Sequence, residues 1–318
     1  MAGGLGVLGY IGMAWESSGN VPNSTPQVYC AALSEEISPE FERYERYNII
    51  NQLSEPDDKT GVLGIEGEIE APFEPISGGF ILTAALGSAT VSSFAGGMWL
   101  HSWKTPRNSF WDPRFACRPV TLEIFRDVTS AQQYSGGQCG GVEFSVEPNG
   151  DLIMTSQWLA LSALNKASGV ASYSGIDPFA FEQASLSVND AAYADMEAWS
   201  YNIDSQLEAI ATLSGRRTAY KIRRSDYPVS EGEFSYGFED ITMYQRYMAE
   251  TEFFQTIAFQ QGSHQLHIIQ PRIKLTSHPL GMGGRERQVV DAEYKAYVHP
   301  GSATSFEIKL ITTVGSFG

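Results

Sequence analysis

Positive charge is what this sequence has least of. Its 21 lysines and arginines stand against 37 acids, for a net charge of −16. That balance excludes a general nucleic-acid-gripping surface, because affinity for phosphates comes from basic side chains. The shortage is uneven: residues 1–165 hold 8 basic and 19 acidic side chains, residues 166–318 hold 13 and 18. Cysteine is also scarce. Cys30, Cys117 and Cys139 are odd in number and widely spaced, which excludes a disulfide framework or zinc-finger spacing and leaves reduced, buried thiols as the expectation. No apolar run has the length of a membrane span. The opening MAGGLGVLGYIGMAW has no basic flank and is broken by five glycines, so it is neither a signal peptide nor a transmembrane helix, and an extended N-terminal arm is expected there. Its Gly4-x-Gly6-x-x-Gly9 matches a dinucleotide fingerprint only formally. No first strand precedes it, and Pro22 and Pro26 follow where helix and sheet should continue.

Catalytic signatures are missing as well. There is no H-E-x-x-H, P-loop or G-x-S-x-G. His264 and His267 are spaced so that, on a strand, they point to opposite faces and share no metal. What the sequence does contain is EGEIEAPFE at 66–74, with Glu66, Glu68 and Glu70 at alternate positions. On a strand this places three carboxylates on one face, with Ile65 and Ile69 on the other. A glycosidase carries paired carboxyls about 5–9.5 Å apart with one tuned upward. A comb of similar acids, copied elsewhere in the chain, fits that poorly, although a duplicated carbohydrate-binding β-sandwich or a glycoside hydrolase using paired glutamates stays open as the alternative. A calcium site prefers an Asp- and Asn-rich loop with a sharp turn over a strand. Catalytic residues, metals and cofactors are therefore not expected.

The copy lies 165 residues on. EGEIEAPFEPISGGFILTAAL at 66–86 aligns without a gap on EGEFSYGFEDITMYQRYMAET at 231–251, with Glu66/Glu231, Gly67/Gly232, Glu68/Glu233, Phe73/Phe238, Glu74/Glu239, Ile76/Ile241 and Ala84/Ala249 identical. Each copy reads as a strand followed by a helix, with Pro75 near the start of the first helix and Asp240 a candidate cap for the second. RPVTLEIF at 118–125 is a strand, with HQLHIIQP at 264–271 as its expected counterpart. Residues 142–160 and 272–298 then read as hairpins, the first turning at Asn149-Gly150, and 306–313 as a last strand. A Ser/Gly-rich stretch, 165–178, separates the halves, which predicts one domain over 1–166 and its repeat over 167–318. The fold class is mainly β with one helix per half. Segments 33–61 and 99–117 are read as long loops. The basic stretch 215–226 carries Arg216, Arg217, Lys221, Arg223 and Arg224, and is expected to pair with acids of a neighbouring subunit.

The order GYIGMAWESSGNVPNSTPQVY, EGEIEAPFEPISGGFILTAALG, VTLEIF, QYSGGQCGGVEFSVEPNGDLIMTSQWLA, then ASLSVND and EGEFSYGFED, resembles the tail tube proteins of long-tailed, siphovirus-type bacteriophages. The resemblance implies β-sandwich domains whose inner sheets join around a ring into one barrel, stacked as a tube in the virion after assembly in the bacterial host cytoplasm. A duplicated chain implies a ring of three copies, or alternatively six. Glu66, Glu68, Glu70, Glu231 and Glu233 then line a lumen that repels passing double-stranded DNA. Tyr44, Tyr47, Trp103, Trp111, Arg216, Arg217, Arg223 and Arg224 become contacts between subunits or rings. Other implied partners are the tape measure, tail terminator and tail tip proteins, with no membrane.

Overall fold

The computed structural model describes residues 8–18, 20–44, 58–105, 118–213, 215–238, 241–280 and 287–317. The first half runs β1 (Tyr10–Trp15), β2 (Val28–Cys30), β3 (Ser34–Glu35), β4 (Ser38–Tyr44), β5 (Lys59–Pro72), α1 (Pro75–Leu86), β6 (Thr90–Ser93), β7 (Trp99–Lys104), β8 (Val120–Phe125), β9 (Ala131–Val146), β10 (Ile153–Leu159) and β11 (Ser162–Lys166). The second half runs β12 (Ala184–Val188), β13 (Ala191–Ala192), β14 (Met196–Asp204), β15 (Leu207–Ile210), β16 (Lys221–Arg224), β17 (Val229–Gly237), α2 (Thr242–Met248), β18 (Phe253–Gln261), β19 (His264–Ser277), β20 (Val289–Ala296) and β21 (Glu307–Thr312).

The two halves share one strand order. In the first, β4, β5, β10 and β9 lie side by side, and the N-terminal part of β9 turns into a second layer between β8 and β11, with β1 and β2 beyond β8. In the second, β14, β17, β20 and β19 lie side by side, and β19 continues between β18 and β21, with β12 and β13 beyond β18. Irregularities fall at matching steps: β8 against β9 slips between Val120 and Leu122, and β18 against β19 between Phe253 and Gln255. Pro271 sits at the second of these, where a missing donor disturbs the ladder least.

Two junctions knit the halves together. β14 pairs with the C-terminal part of β9, and β7 of the first half pairs with β21 at the end of the second. One hydrophobic cluster accordingly contains residues of both. Phe73 lies 5.8 Å from Phe144 and 5.9 Å from Phe179, which lies 6.1 Å from Phe259, so a line of rings crosses between them. α1 is apolar all round and buried on almost every side, with Pro75 in its first turn as read from the sequence. α2 is shorter and buries only Met243; its N-cap is Ile241, which supplies no side-chain cap, and Asp240 lies outside the described residues.

Several expectations change. Residues 264–271 and the first arm of the 272–298 hairpin are a single strand, β19, so the positional counterpart of β8 is β18, which the sequence reading passed over. Its alternating Phe253, Gln255, Ile257 and Phe259 are the buried set. The expected N-terminal arm becomes, from Tyr10 on, the fully buried β1. The segment 33–61 is only partly loop, because β3 and β4 pair with β5, and residues 45–57 lie outside the described ones. Likewise 99–104 is strand and not loop. Cys30 and Cys139 are buried and free, and burial pushes the Cys30 thiol up to about 12; Cys117 lies outside the described residues.

The repeated Glu-Gly-Glu now has a steric reason. A Cβ on Gly67 would lie 2.5 Å from the Glu36 carbonyl oxygen, and one on Gly232 would lie 2.4 Å from that of Ser200. Both carbonyls belong to the chain opposite the second glutamate of the motif: the Glu36 N–H donates to the Glu68 carbonyl, and Ser200 pairs with Glu233. Gly67→Ala and Gly232→Ala should each destabilise the fold by about 1–3 kcal/mol, seen as a lower melting temperature by circular dichroism. Gly64→Ala, whose Cβ would have 3.8 Å of room, is the control and should change little.

Candidate functional site: an acidic sheet face

β5 alternates as its sequence suggests. Ile65, Ile69 and Ala71 are buried, Glu66 and Glu68 are exposed, and Glu70 is half-buried. Side chains of directly paired residues lie on the same face of a sheet, so the register shows what else shares the face with these glutamates. Glu70 pairs with Thr155, Thr155 with Glu143, Glu143 with Asn202, Asn202 with Glu231, and Glu231 with Lys295. The next row runs from Glu68 through Gln157 and Gly141 to Asp204. On the other side, Ser145 pairs with Ser200, Ser200 with Glu233, and Glu233 with Glu293.

One polar face therefore spans β5, β10, β9, β14, β17 and β20 and brings the two combs together. Glu66, Glu68, Glu70, Glu231 and Glu233 all stand on it. Sequence reasoning missed Glu143, Asp204, Asp291 and Glu293, which stand there too. Their signal was present as period-two alternation in VEFSVE at 142–147 and VVDAEYKA at 289–296, with apolar residues on one phase and acids on the other. Among the described residues of these six strands, the cations on the face are Lys295 and, beyond the register slip at the outer end of β5, Lys59. Hydrogen bonds hold some of the acids in place: Ser34 Oγ donates to Glu70 at 3.0 Å, Gln157 Nε2 to Glu68 at 3.3 Å, and Ser235 Oγ to Asp291 at 2.6 Å.

The combs meet with an offset. The row leaving β5 at Glu70 reaches β17 at Glu231, whose counterpart in the repeat is Glu66, four residues before Glu70. Four strand-to-strand steps separate β5 from β17, so the ladder slips by about one residue per strand.

The contact residues separate into groups. Tyr44 ends β4 and is half exposed. Trp103 is corrected: it is 1% exposed, on β7 between His101 and Phe317, so it packs the core and offers nothing to a neighbour. Tyr47 and Trp111 lie outside the described residues. Arg216, Arg217 and Arg223 are exposed, and Arg224 Nε donates to the Ser205 carbonyl at 2.9 Å. The basic stretch lies against its own chain, since the Leu63 N–H donates to the Arg217 carbonyl at 2.7 Å.

The chain belongs to the phage tail tube protein family, whose model matches residues 6–296. Among curated proteins none matches it. The family makes it a structural component of the phage virion. No helix among the described residues is long and apolar enough to cross a membrane.

Burial, with like charge beside it, leaves a titration signature at the centre of the face. Glu143 stands between the rows of both combs, and burial between strands, followed by the charge of Glu68, raises its carboxyl above the usual range. A carboxyl whose folded value is raised favours the native state when protonated and opposes it once pH rises through that value. Glu143→Gln should therefore raise the melting temperature at pH 7. The gain should fade as pH falls below the ordinary carboxylate range, where wild type and variant carry the same charge.

Proposed function

We propose that the acidic face is the inner wall of a tube that conducts double-stranded DNA, and that each half of the chain is one wall unit. The observation that carries this reading is the continuous, mostly acidic sheet face across both halves, with its net slip of four residues over four strand steps. Closing a sheet into a barrel requires the strands to tilt and the register to stagger in one direction. A slip of about one residue per strand, at ~3.3 Å per residue and ~4.8 Å between strands, corresponds to a tilt of roughly 35°, inside the usual range for barrels. The shared strand order and the matching irregularities support a duplicated unit. Three copies would then supply six units of four strands, a barrel of about 24 strands and roughly 45 Å across, wider than the 16–18-stranded porins that already hold a water channel.

The wall's charge follows from its cargo. Each Lys or Arg gripping a phosphate adds salt-sensitive affinity and so friction, whereas carboxylates repel the duplex. Their mutual repulsion is tolerable: two like charges 4 Å apart cost about 1 kcal/mol in water, and physiological salt screens beyond about 8 Å. Segments 33–61 and 99–117, apart from the buried Trp103, are the candidate contacts between stacked rings, with the tape measure protein inside the tube and the terminator and tip proteins at its ends. The arginines of 215–226 serve contacts between subunits.

Negative-stain micrographs of the purified chain test the assembly and should show rings or tubes of uniform diameter. A stable monomer or dimer would overturn it. For the wall, Glu66→Lys with Glu68→Lys should give tubes that retain duplex DNA at low salt and release it as salt rises, and virions that eject more slowly. Unchanged DNA retention and ejection in that variant would remove the lumen from the face.

A further inference from the structure

Two strand edges on this sheet have no neighbour among the described residues. β4 pairs with β5 alone, and β19 beyond Ile273 pairs with β20 alone. β4 is exposed along its whole length, with Phe41 46% and Tyr44 50% accessible. A strand with an open edge and no covered face is a template for pairing with another chain. The chain already contains a worked example of how such an edge is covered, because β14 pairs with the C-terminal part of β9 where the halves meet.

The two open edges are the counterparts of those two strands. β14 stands to β17 as β4 does to β5: Asn202 faces Glu231, and Ser38 faces Glu66, the equivalent glutamate. β9 stands to β10 as β19 does to β20: Gln157 faces Gly141, and Glu293 faces Ser277. Both of these ladders break register one residue further on, between Gln157 and Trp158 in the first and between Leu275 and Ser277 in the second. The likeness therefore extends to the irregularity beside the junction.

Resting on the tube reading above, we infer that β4 of one copy pairs antiparallel with the end of β19 of the next copy, in the register of the β14–β9 junction. Asp204 facing Gly141 translates to Glu40 facing Ser277, and Asn202 facing Glu143 translates to Ser38 facing Pro279. Charge agrees. Lys274 and Lys295 face each other across β19 and β20 at this edge, a like-charge pair that Glu252, 3.6 Å from Lys274, and Glu231, paired with Lys295, offset in part, and the incoming strand carries Glu40 and the exposed Glu42 toward them. Pro39, whose backbone nitrogen faces the open edge, removes one donor from the new ladder. The contact between copies is thus weaker than the internal one, as suits an edge that must stay unpaired until assembly.

Disulfide trapping tests the register. In a Cys117→Ser background, Glu40→Cys with Ser277→Cys should, on oxidation of assembled tubes, move the chain into a covalent ladder that ends at the trimer. Directly opposed strand residues bring their Cβ atoms within disulfide reach. Ser38→Cys with Ser277→Cys, diagonal in this register, should stay largely monomeric. Tubes that form normally but cross-link only through the second pair, or through neither, would overturn this junction and leave the tube reading intact. Absence of tubes from the wild-type chain would instead remove that reading. Should the double-cysteine chain not assemble, hydrogen exchange on the wild type decides: the amides that point out of the two open edges, those of Ile37, Phe41, His278 and Leu280, gain protection on assembly, whereas Ser38, Glu40 and Ser277 already face β5 and β20; unchanged exchange at the outward amides would overturn the proposal.

Discussion

β9 is hydrogen-bonded along both edges, and the rest of the molecule is arranged around that fact. Its N-terminal part lies between β8 and β11, and its C-terminal part lies between β10 and β14. One strand of 16 residues thus belongs to both layers of the first half and also carries the joint to the second. Passing from layer to layer needs a local kink, and SGGQCGG provides it. Gly136 has φ 64°, and a Cβ there would press on Leu161 at 2.8 Å. Were β9 paired on one edge only, the polar faces of the two halves would be separate surfaces.

That joint gives the carboxylates a collective property. A single comb on one strand is a local repulsion of modest size. Spread in register over six strands, with Glu143 and Asp204 filling the gap between Glu70 and Glu231, it becomes an extended field of one sign. The apolar phase of the same strands contributes Ile65, Ile69, Phe144, Tyr201 and Phe234 to the core. Alternation therefore separates the two demands: burial on one face stabilises the fold, and the other carries the charge without placing it in the core.

Much of this was legible from residues alone. The comb, its copy at 231–233, the strand-then-helix order and the turn at Asn149-Gly150 depend on local chemistry, namely alternation, a helix-starting proline and a residue that tolerates positive φ. Other features were hidden by the same reasoning. The five glycines of the opening stretch point to an extended arm, yet β8 and β2 cover β1 on both edges. The resemblance makes Trp103 a contact between subunits or rings, but its partners, His101 and Phe317, come from its own strand and from residues more than 200 positions away. β18 escaped notice because the glutamines of FFQTIAFQQ mask its alternation.

The sequence by itself determined which faces are acidic and which apolar, since side-chain alternation along a strand is a local property with a period of two residues. It also determined that one segment recurs, and that acids outnumber basic residues in both halves of the chain. Only the tertiary structure decided how the two acidic combs meet. Register between strands far apart in the chain is set by contacts such as Gly67 under the Glu36 carbonyl and Gly232 under that of Ser200, and by the bulge beside Gly141. Those contacts place Glu70, not Glu66, in line with Glu231. A slip of a few residues leaves every local pattern intact, so no local pattern encodes it.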